Sequence, residues 1–382
     1  MAGGERETPD DRRELRYLAA VLGLLVCLLL TAFAMQRYSA WQGDDFPEFY
    51  AAGKLSGTGA LYDYPSLRAI EEQYHAGVFA LPFLRLPVVA WVLKPLAALP
   101  YRTARIVWFA AASLAAILMV LLWPGGRLDT RLALAAWFLP ITNCILGGQD
   151  DVFFTLLGVV AARWLTQRCD SLGGFAIGSA FFKPHLGIGL AVFLLAARRW
   201  RAAVWAGIAA SIQIGLSFLA EGWRWLQAYS QALQSPVADI GGGHQPNLRG
   251  LASYLPAGQT YAEIILAVAA LTTLWMASRR LDCVSGVALA LAIGLLVGHH
   301  AYIYDVTLAY PMLVTAWTAS RAARIFTIPL LIPALYSLPY LANLNNTAFV
   351  ISEAGIVGAL IGIVVCIIRP ALAQRVSPLL PA

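Results

Sequence analysis

Charged side chains are scarce in this chain. Of its 382 residues only 13% are charged, whereas 59% are hydrophobic. An α-helix of ~20 apolar residues is long enough to cross ~30 Å of hydrocarbon. No stretch is polar enough to form a separate soluble domain. Long runs without Asp, Glu, Lys or Arg, the last of them broken only at its first residue, cover residues 17–36, 106–126, 132–149, 202–220, 283–304, 325–352 and 353–368.

Segments of about ten residues with alternating polarity, which are typical of membrane β-barrels, are also missing. Only helices and closed barrels satisfy the backbone in lipid. The sequence therefore predicts an all-α, polytopic integral membrane protein. Total apolar length at ~20 residues per span gives about ten to thirteen transmembrane helices. We expect one transmembrane domain over residues 17–370, with cytoplasmic tails at residues 1–16 and 371–382.

Cysteines are few, and known cofactor motifs are absent. The five cysteines show no CxxC spacing and are typical of small buried side chains, not of a disulfide framework or a metal site. The chain has no Walker loop, dinucleotide fingerprint, zinc motif or nucleophile elbow. We therefore predict no cofactor and no metal.

Basic residues give the chain a formal net charge of +6, but they lie at helix ends and not on one face. This placement follows the positive-inside rule and argues against nucleic-acid binding. It puts the loops at residues 198–201, 279–280 and 321–324 in the cytoplasm. Residues 37–80, 221–256 and 343–347 then lie outside, together with His299 and His300. Polar groups therefore gather on the outer face, where we expect the function.

Acidic residues are concentrated just after the first predicted span, at Asp44, Asp45 and Glu48. A carboxylate at the edge of a partly dry cavity can deprotonate a hydroxyl nucleophile, and Asp45 is the first candidate for this role. Asp45 could instead cap a helix, because Pro47 follows at an early helical position. The two roles can coexist.

Lys183 lies between two apolar segments and precedes a proline. It could anchor a phosphate, or it could be a lysine at a helix end whose charge reaches the interface. The two segments form either one span broken at Pro184 or two short helices that meet on the outer side. Gln149 and Asp150 could bind sugar hydroxyls or a metal, or could simply favour the dipole at a helix start.

Further polar residues lie at the predicted outer boundaries. His300 could contact a phosphate, and Asp305 begins another apolar segment. Adjacent histidines on a helix point ~100° apart, so His299 and His300 are not expected to share a metal. In the glycine-rich loop at residues 241–250, Asn247 and Arg249 are types that bind sugar hydroxyls and phosphate.

These residues, in this order, resemble glycosyltransferase family 87, the polyprenol-phosphate-mannose-dependent mannosyltransferases of bacteria, which have the C-type glycosyltransferase fold with juxtamembrane helices on the outer face. The resemblance covers about three-quarters of the chain. It rests on the matching pieces Asp45-Phe46-Pro47-Glu48-Phe49-Tyr50-Ala51-Ala52, Gly59-Ala60-Leu61-Tyr62-Asp63, Gly148-Gln149, Gly173, Lys183-Pro184, Pro246-Asn247-Leu248-Arg249-Gly250-Leu251 and His300 with Tyr304-Asp305.

The resemblance implies an inverting transfer of a hexose, with mannose expected, from a polyprenyl-phosphate donor to a glycan or lipid acceptor. It implies Asp45 as the general base and Lys183 and His300 as contacts to the donor phosphate. Asp44, Tyr62, Gln149, Asp150, Asn247, Arg249 and Asp305 complete the expected substrate site.

Two departures from the family pattern concern the contacts to the sugar. Asp150 and Asp151 follow Gln149 where the family often has asparagine two residues beyond the glutamine, and Gly298-His299 replaces a usual Ser-Pro. We expect a multi-pass protein of the bacterial inner membrane with a periplasmic active site among membrane lipids. The alternative function is a transporter or flippase for lipid-linked saccharides, and a structural subunit is a third class.

Overall fold

The computed structural model describes residues 9–37, 45–74, 81–235, 237, 245–255, 257–342 and 345–373. Asp44 lies outside this part of the chain. The described residues contain α-helices and short 3₁₀ segments but no strand, so the all-α prediction is confirmed. The first helices are α1 (Pro9–Arg37), α2 (Phe46–Leu55), α3 (Tyr64–Tyr74), α4 (Pro87–Ala97), α5 (Tyr101–Leu122), α6 (Leu128–Trp137) and α7 (Leu139–Leu146).

The remaining helices continue from the centre of the chain to its end. The central ones are α8 (Asp151–Thr166), α9 (Asp170–Ser179), α10 (Pro184–Ala196), α11 (Trp200–Glu221), α12 (Trp225–Leu233), α13 (Leu248–Ser253), α14 (Gln259–Ser278) and α15 (Cys283–Val297). The last ones are α16 (Tyr310–Ala319), α17 (Arg321–Thr327), α18 (Pro333–Leu341) and α19 (Asn346–Ala373). The 3₁₀ segments are Ala180–Phe182, Asp305–Ala309 and Pro329–Leu331.

Several described helices are suited to a membrane. Five segments are long and apolar enough to cross one: Glu14–Ala34, Tyr101–Leu122, Trp200–Glu221, Gln259–Ser278 and Asn346–Leu372. Shorter apolar helices accompany them at Pro87–Ala97, Pro184–Ala196 and Cys283–Val297. The protein is therefore a multi-pass membrane protein.

Prolines divide two of the uncharged runs seen in the sequence. The run at residues 132–149 forms α6 and α7, with Pro140 in the first turn of α7. The run at residues 325–352 is divided by Pro329 and Pro333, each at a helix start. Proline lacks the N–H that a helix interior needs but is tolerated in the first turn, so each one begins a new segment.

The segments on either side of Lys183 are two short helices that form a hairpin. Asp170 at the start of α9 pairs with Arg199, which follows α10, with 2.8 Å between Oδ1 and Nη1. Both open ends of the hairpin therefore lie together, and Lys183 lies at the opposite end, between Phe182 and α10. This arrangement agrees with the second sequence interpretation and excludes a single broken span.

Two hydrophobic clusters hold the polar residues in place. In the larger one, α15 is buried without interruption from Gly286 to Leu296, as expected for a helix that is apolar on every side. In the smaller one, the Phe49 and Trp108 rings stack at 5.1 Å and fix α2 against α5. The indole of Trp108 donates to the carbonyl of Gly148 at 2.8 Å, so the same cluster also holds the turn that precedes α8.

Candidate active site

Asp45 lies at the start of α2, next to the turn between α7 and α8. Its backbone N–H donates to the carbonyl of Gly147 at 2.8 Å, and its Oδ2 accepts a hydrogen bond from Nε2 of Gln149. The residue is only 7% exposed. Although Asp45 occupies the N-cap position, its side chain makes no capping hydrogen bond to α2. The carboxylate is instead oriented by Gln149, which removes helix capping as its structural role.

Lys183 is the centre of a buried ion cluster. Its Nζ lies 2.8 Å from Oδ1 of Asp150, 2.5 Å from Oδ1 of Asp151 and 3.2 Å from Oδ1 of Asp305. The residue is 3% exposed. An ammonium group has three hydrogens to donate, and three carboxylates surround this one. The sequence predicted Lys183, Asp150 and Asp305 as site residues, and the structure brings all three together.

Arg85 is the second cation of this cluster, and it was not predicted from the sequence. Its Nε and Nη2 donate to the two oxygens of Asp150 at 3.0 and 3.2 Å. Its Nη1 lies 4.0 Å from Oε1 of Glu48. Burial alone would raise the pKa of Asp150, but Arg85 and Lys183 hold it below its usual range. Arg85 was nevertheless detectable, because it is the sole charged residue between Glu72 and Lys94.

Glu48 lies one helical turn after Asp45 and has a different environment. It is 4% exposed, and its Oε1 has no hydrogen-bond partner among the described residues. Burial raises the pKa of Glu48 to about 8, although Arg85 acts in the opposite direction. The sequence placed Glu48 in the acidic motif without giving it a role.

A cavity of about 120 Å³ lies between these groups, well above the ~10–15 Å³ that one water needs. Of the predicted site residues, Gln149, Lys183, His300 and Asp305 line it. The other lining residues, which the sequence did not single out for the site, are Glu48, Leu81, Pro82, Leu84, Arg85, His185, Tyr229, Leu233, Val237, Tyr302 and Tyr304.

Arg249 contacts the imidazole of His300 and determines which of its two ring nitrogens carries the hydrogen. Nη1 of Arg249 lies 3.4 Å from Nδ1 of His300 and donates to the carbonyl of His299 at 3.0 Å. A guanidinium only donates, so Nδ1 must accept and the ring hydrogen lies on Nε2. Nδ1 of His299 lies 3.0 Å from Oε1 of Glu263, outside the cavity. The two imidazoles therefore have different partners.

Three predicted substrate residues are not among the lining residues of the cavity. They instead make hydrogen bonds that hold neighbouring parts of the chain in place. Asn247 is fully buried; its Oδ1 accepts from the backbone N–H of Gly250 and caps α13, and its Nδ2 donates to the carbonyl of Gly298 at 2.7 Å. Its amide is thus committed within the protein and not offered to a sugar. Tyr62 donates to the carbonyl of Arg85 at 2.7 Å. Arg249 contacts the cavity through His300.

Comparisons with known proteins agree with the resemblance. The sequence model of glycosyltransferase family 87 matches residues 83–304, more than half of the chain. The matched range includes Lys183 and His300 but begins after Asp45. No solved structure shows a significant match.

Two curated relatives carry one description, polyprenol-phosphate-mannose-dependent alpha-(1-2)-phosphatidylinositol pentamannoside mannosyltransferase. The protein from Mycolicibacterium smegmatis is 25% identical over 365 residues, which cover 88% of this chain and 85% of the relative. The protein from Mycobacterium tuberculosis is 28% identical over 238 residues, which cover 58% of this chain and 52% of the relative.

Proposed function

This chain belongs to glycosyltransferase family 87, and on that premise we propose that it transfers mannose from a polyprenyl-phosphate carrier to a hydroxyl group of a glycan or lipid. One observation carries the proposal. Gln149, which orients the Asp45 carboxylate, lines the same cavity as Lys183 and His300. A candidate base and the groups expected to receive a phosphate thus adjoin one space.

In the proposed reaction Asp45 takes the proton from the acceptor hydroxyl. The hydroxyl oxygen then forms a bond to the anomeric carbon, while the bond from that carbon to the phosphate oxygen breaks and its electron pair stays on the phosphate. Attack from the opposite side inverts the anomeric centre. The phosphate already carries negative charge, so cationic contacts stabilise its departure without a strong acid. Arg85 and His300 would provide these contacts, and Lys183 would add its positive charge.

The proposal places this reaction on the periplasmic face of a bacterial inner membrane. The basic residues at 198–201, 279–280 and 321–324 support this orientation, because positively charged loops stay in the cytoplasm. The cavity then opens on the opposite side, where a lipid carrier could present its sugar. The acceptor is a hydroxyl-bearing glycan or glycolipid on that side.

The proposed function is tested by following the sugar. Purified protein in proteoliposomes receives polyprenyl-phosphate mannose with a labelled sugar and a set of alkyl mannosides as acceptors. We expect label to appear on an acceptor, with the stereochemistry inverted relative to the donor. If label crosses the bilayer but stays on its carrier with every acceptor, the protein is a transporter and the proposal is wrong.

A further inference from the structure

Resting on the proposed function, we propose that Arg85 is the residue that donates hydrogen bonds to the phosphate of the lipid donor. Neither the family resemblance nor the sequence motifs assign Arg85 a role. The inference comes from comparing the partners of two cations at the cavity, Lys183 and Arg85.

Lys183 is already committed as a counterion to buried carboxylates. Its Nζ lies 2.8, 2.5 and 3.2 Å from carboxylate oxygens of Asp150, Asp151 and Asp305. Turning the ammonium group from Asp151 or Asp305 towards a phosphate would leave a buried carboxylate without its counterion, which is costly. Lys183 therefore neutralises these buried carboxylates, while another cation must bind the phosphate directly.

Arg85 still has donors to offer. A guanidinium has five N–H groups, and Asp150 accepts hydrogen bonds from only Nε and Nη2. Nη1 makes no hydrogen bond with the described residues, since Glu48 lies 4.0 Å away. The side chain is only 12% exposed but lines the cavity. The unused N–H groups thus lie in a partly dry space, where a charge-assisted hydrogen bond is strong.

The position of Arg85 is fixed before any ligand arrives. Asp150 holds one edge of the guanidinium, the Phe49 ring lies 5.6 Å from its Cζ, and the hydroxyl of Tyr62 holds its backbone carbonyl at 2.7 Å. A planar fork held in this way suits a tetrahedral phosphate better than a flexible ammonium does. A preorganised donor also loses less conformational entropy on binding.

Glu48 lies beside this position and has an oxygen without a hydrogen bond. Its Oε1 lies 4.0 Å from Nη1 of Arg85 and has no hydrogen-bond partner among the described residues. Burial raises the pKa of Glu48 to about 8, so at neutral pH the carboxyl keeps its proton. A phosphate would therefore meet the charge of Arg85 without a negative charge on Glu48 beside it.

The experiment compares two ligands that differ only in the phosphate, a polyprenyl phosphate and the parent polyprenol, each titrated against purified full-length protein in nanodiscs. We expect wild type to prefer the phosphate. Arg85→Met should lose about tenfold or more of that preference, the size of a charged hydrogen bond, without losing affinity for the alcohol. Arg85→Lys should lose nearly as much.

Arg102→Met is the matched control, because Arg102 is an exposed arginine at the start of α5 and should leave the preference unchanged. If wild type prefers the phosphate and Arg85→Met keeps that preference, the role of Arg85 is refuted while the proposed function stands. If wild type shows no preference, the donor itself is wrong. Should Arg85→Met fail to fold, a wild-type preference for the phosphate in Arg85→Lys overturns the inference.

Discussion

Asp45 and Glu48 are two acids one helical turn apart, and their surroundings give them different chemistry. Gln149 donates a hydrogen bond to the carboxylate of Asp45 and so orients it. Glu48 is buried with an unpaired oxygen, and its pKa is raised to about 8. At neutral pH Glu48 therefore keeps its own proton and cannot take one from an acceptor hydroxyl. Of these two acids, Asp45 remains the candidate for the base.

The first prediction concerns Asp45→Asn in the proposed transfer reaction. The amide keeps the shape of the side chain but cannot accept the hydroxyl proton, so kcat should fall by about 10²- to 10⁴-fold. The KM for the donor should change little. Steady-state kinetics with labelled donor measure both. Asp63→Asn is the control, because Asp63 is an exposed acid that caps α3 and does not line the cavity. Turnover at the wild-type rate in Asp45→Asn would remove Asp45 as the base.

A second prediction follows from the pKa of Glu48, which is raised from 4.5 to about 8 on folding. Between these pH values the folded protein keeps a proton that the unfolded chain has lost. The free energy of unfolding must then fall as pH rises through this range and level off above about pH 8. Glu48→Gln removes this dependence.

Thermal unfolding in detergent at a series of pH values gives the measurement. The midpoint of wild type should fall relative to that of Glu48→Gln as pH rises. Glu71 has a pKa raised by burial to about 7, but it is present in both proteins and cancels in the difference. Glu72→Gln, at an exposed acid on α3, should follow wild type. Parallel curves for wild type and Glu48→Gln would contradict the burial argument.

Residue types alone selected some of the groups that the structure brings together and passed over others. Lys183 and His300 could be selected because ionisable groups beside apolar segments are costly and rarely accidental. Asn247 was selected as a sugar ligand, yet its amide accepts a hydrogen bond from Gly250 and donates one to Gly298. Arg85 was missed because its partner Asp150 lies 65 positions away. A sequence shows which groups can bind, but not which partners have already satisfied them.

At the scale of the helices, α9 and α10 show a limit of hydrophobic patterns. Each segment is too short to cross a membrane alone, and proline at position 184 fits either a broken span or a hairpin. The ion pair between Asp170 and Arg199 selects the hairpin, and it joins residues 29 positions apart. The lengths of the two segments and the proline between them predict two helical elements. Whether the second helix continues in the same direction or turns back depended on this long-range contact.

The hairpin depends on close packing of α9 against α11, which the third prediction tests. A Cβ added at Gly174 would lie 2.0 Å from the carbonyl oxygen of Ala202, and one at Gly178 would lie 2.1 Å from that of Ala206. Small residues four apart let two helices approach this closely. Because the contacts are with backbone atoms, Gly174→Ala must push the helices apart and should cost about 1–3 kcal/mol.

Gly207→Ala is the matched control on α11, since nothing lies within 4 Å of the added Cβ. Alanine is a better helix former than glycine by roughly 0.5–1 kcal/mol, so this variant should be at least as stable as wild type. Thermal midpoints in detergent compare the two. Equal midpoints for Gly174→Ala and Gly207→Ala would show that the helices are not held at this distance.

Across the whole molecule, several basic residues make contacts outside the cavity lining. Arg16 pairs with Asp129, Arg199 pairs with Asp170, and Nη1 of Arg280 donates to the carbonyl of Leu372 near the end of α19. The polar loops that carry Asp45, Gln149 and His300 meet around the cavity. The sequence predicts from charge alone that the basic loops share one side, because helices that alternate in direction bring them together. How deeply each segment lies in the membrane could not be predicted from the charges.

The fourth prediction assigns these two sides to the two faces of the membrane. Single cysteines are placed at two exposed sites in an active variant that lacks the five native cysteines: Gln234→Cys at the end of α12 and Gln167→Cys between α8 and α9. In spheroplasts of a bacterial expression host, a membrane-impermeant maleimide should label Gln234→Cys at once. It should label Gln167→Cys only after the membrane is permeabilised, because the basic loops around it stay inside. A permeant maleimide should label both variants and controls for reactivity. The opposite pattern would place the cavity at the cytoplasm, where a periplasmic donor could not reach it.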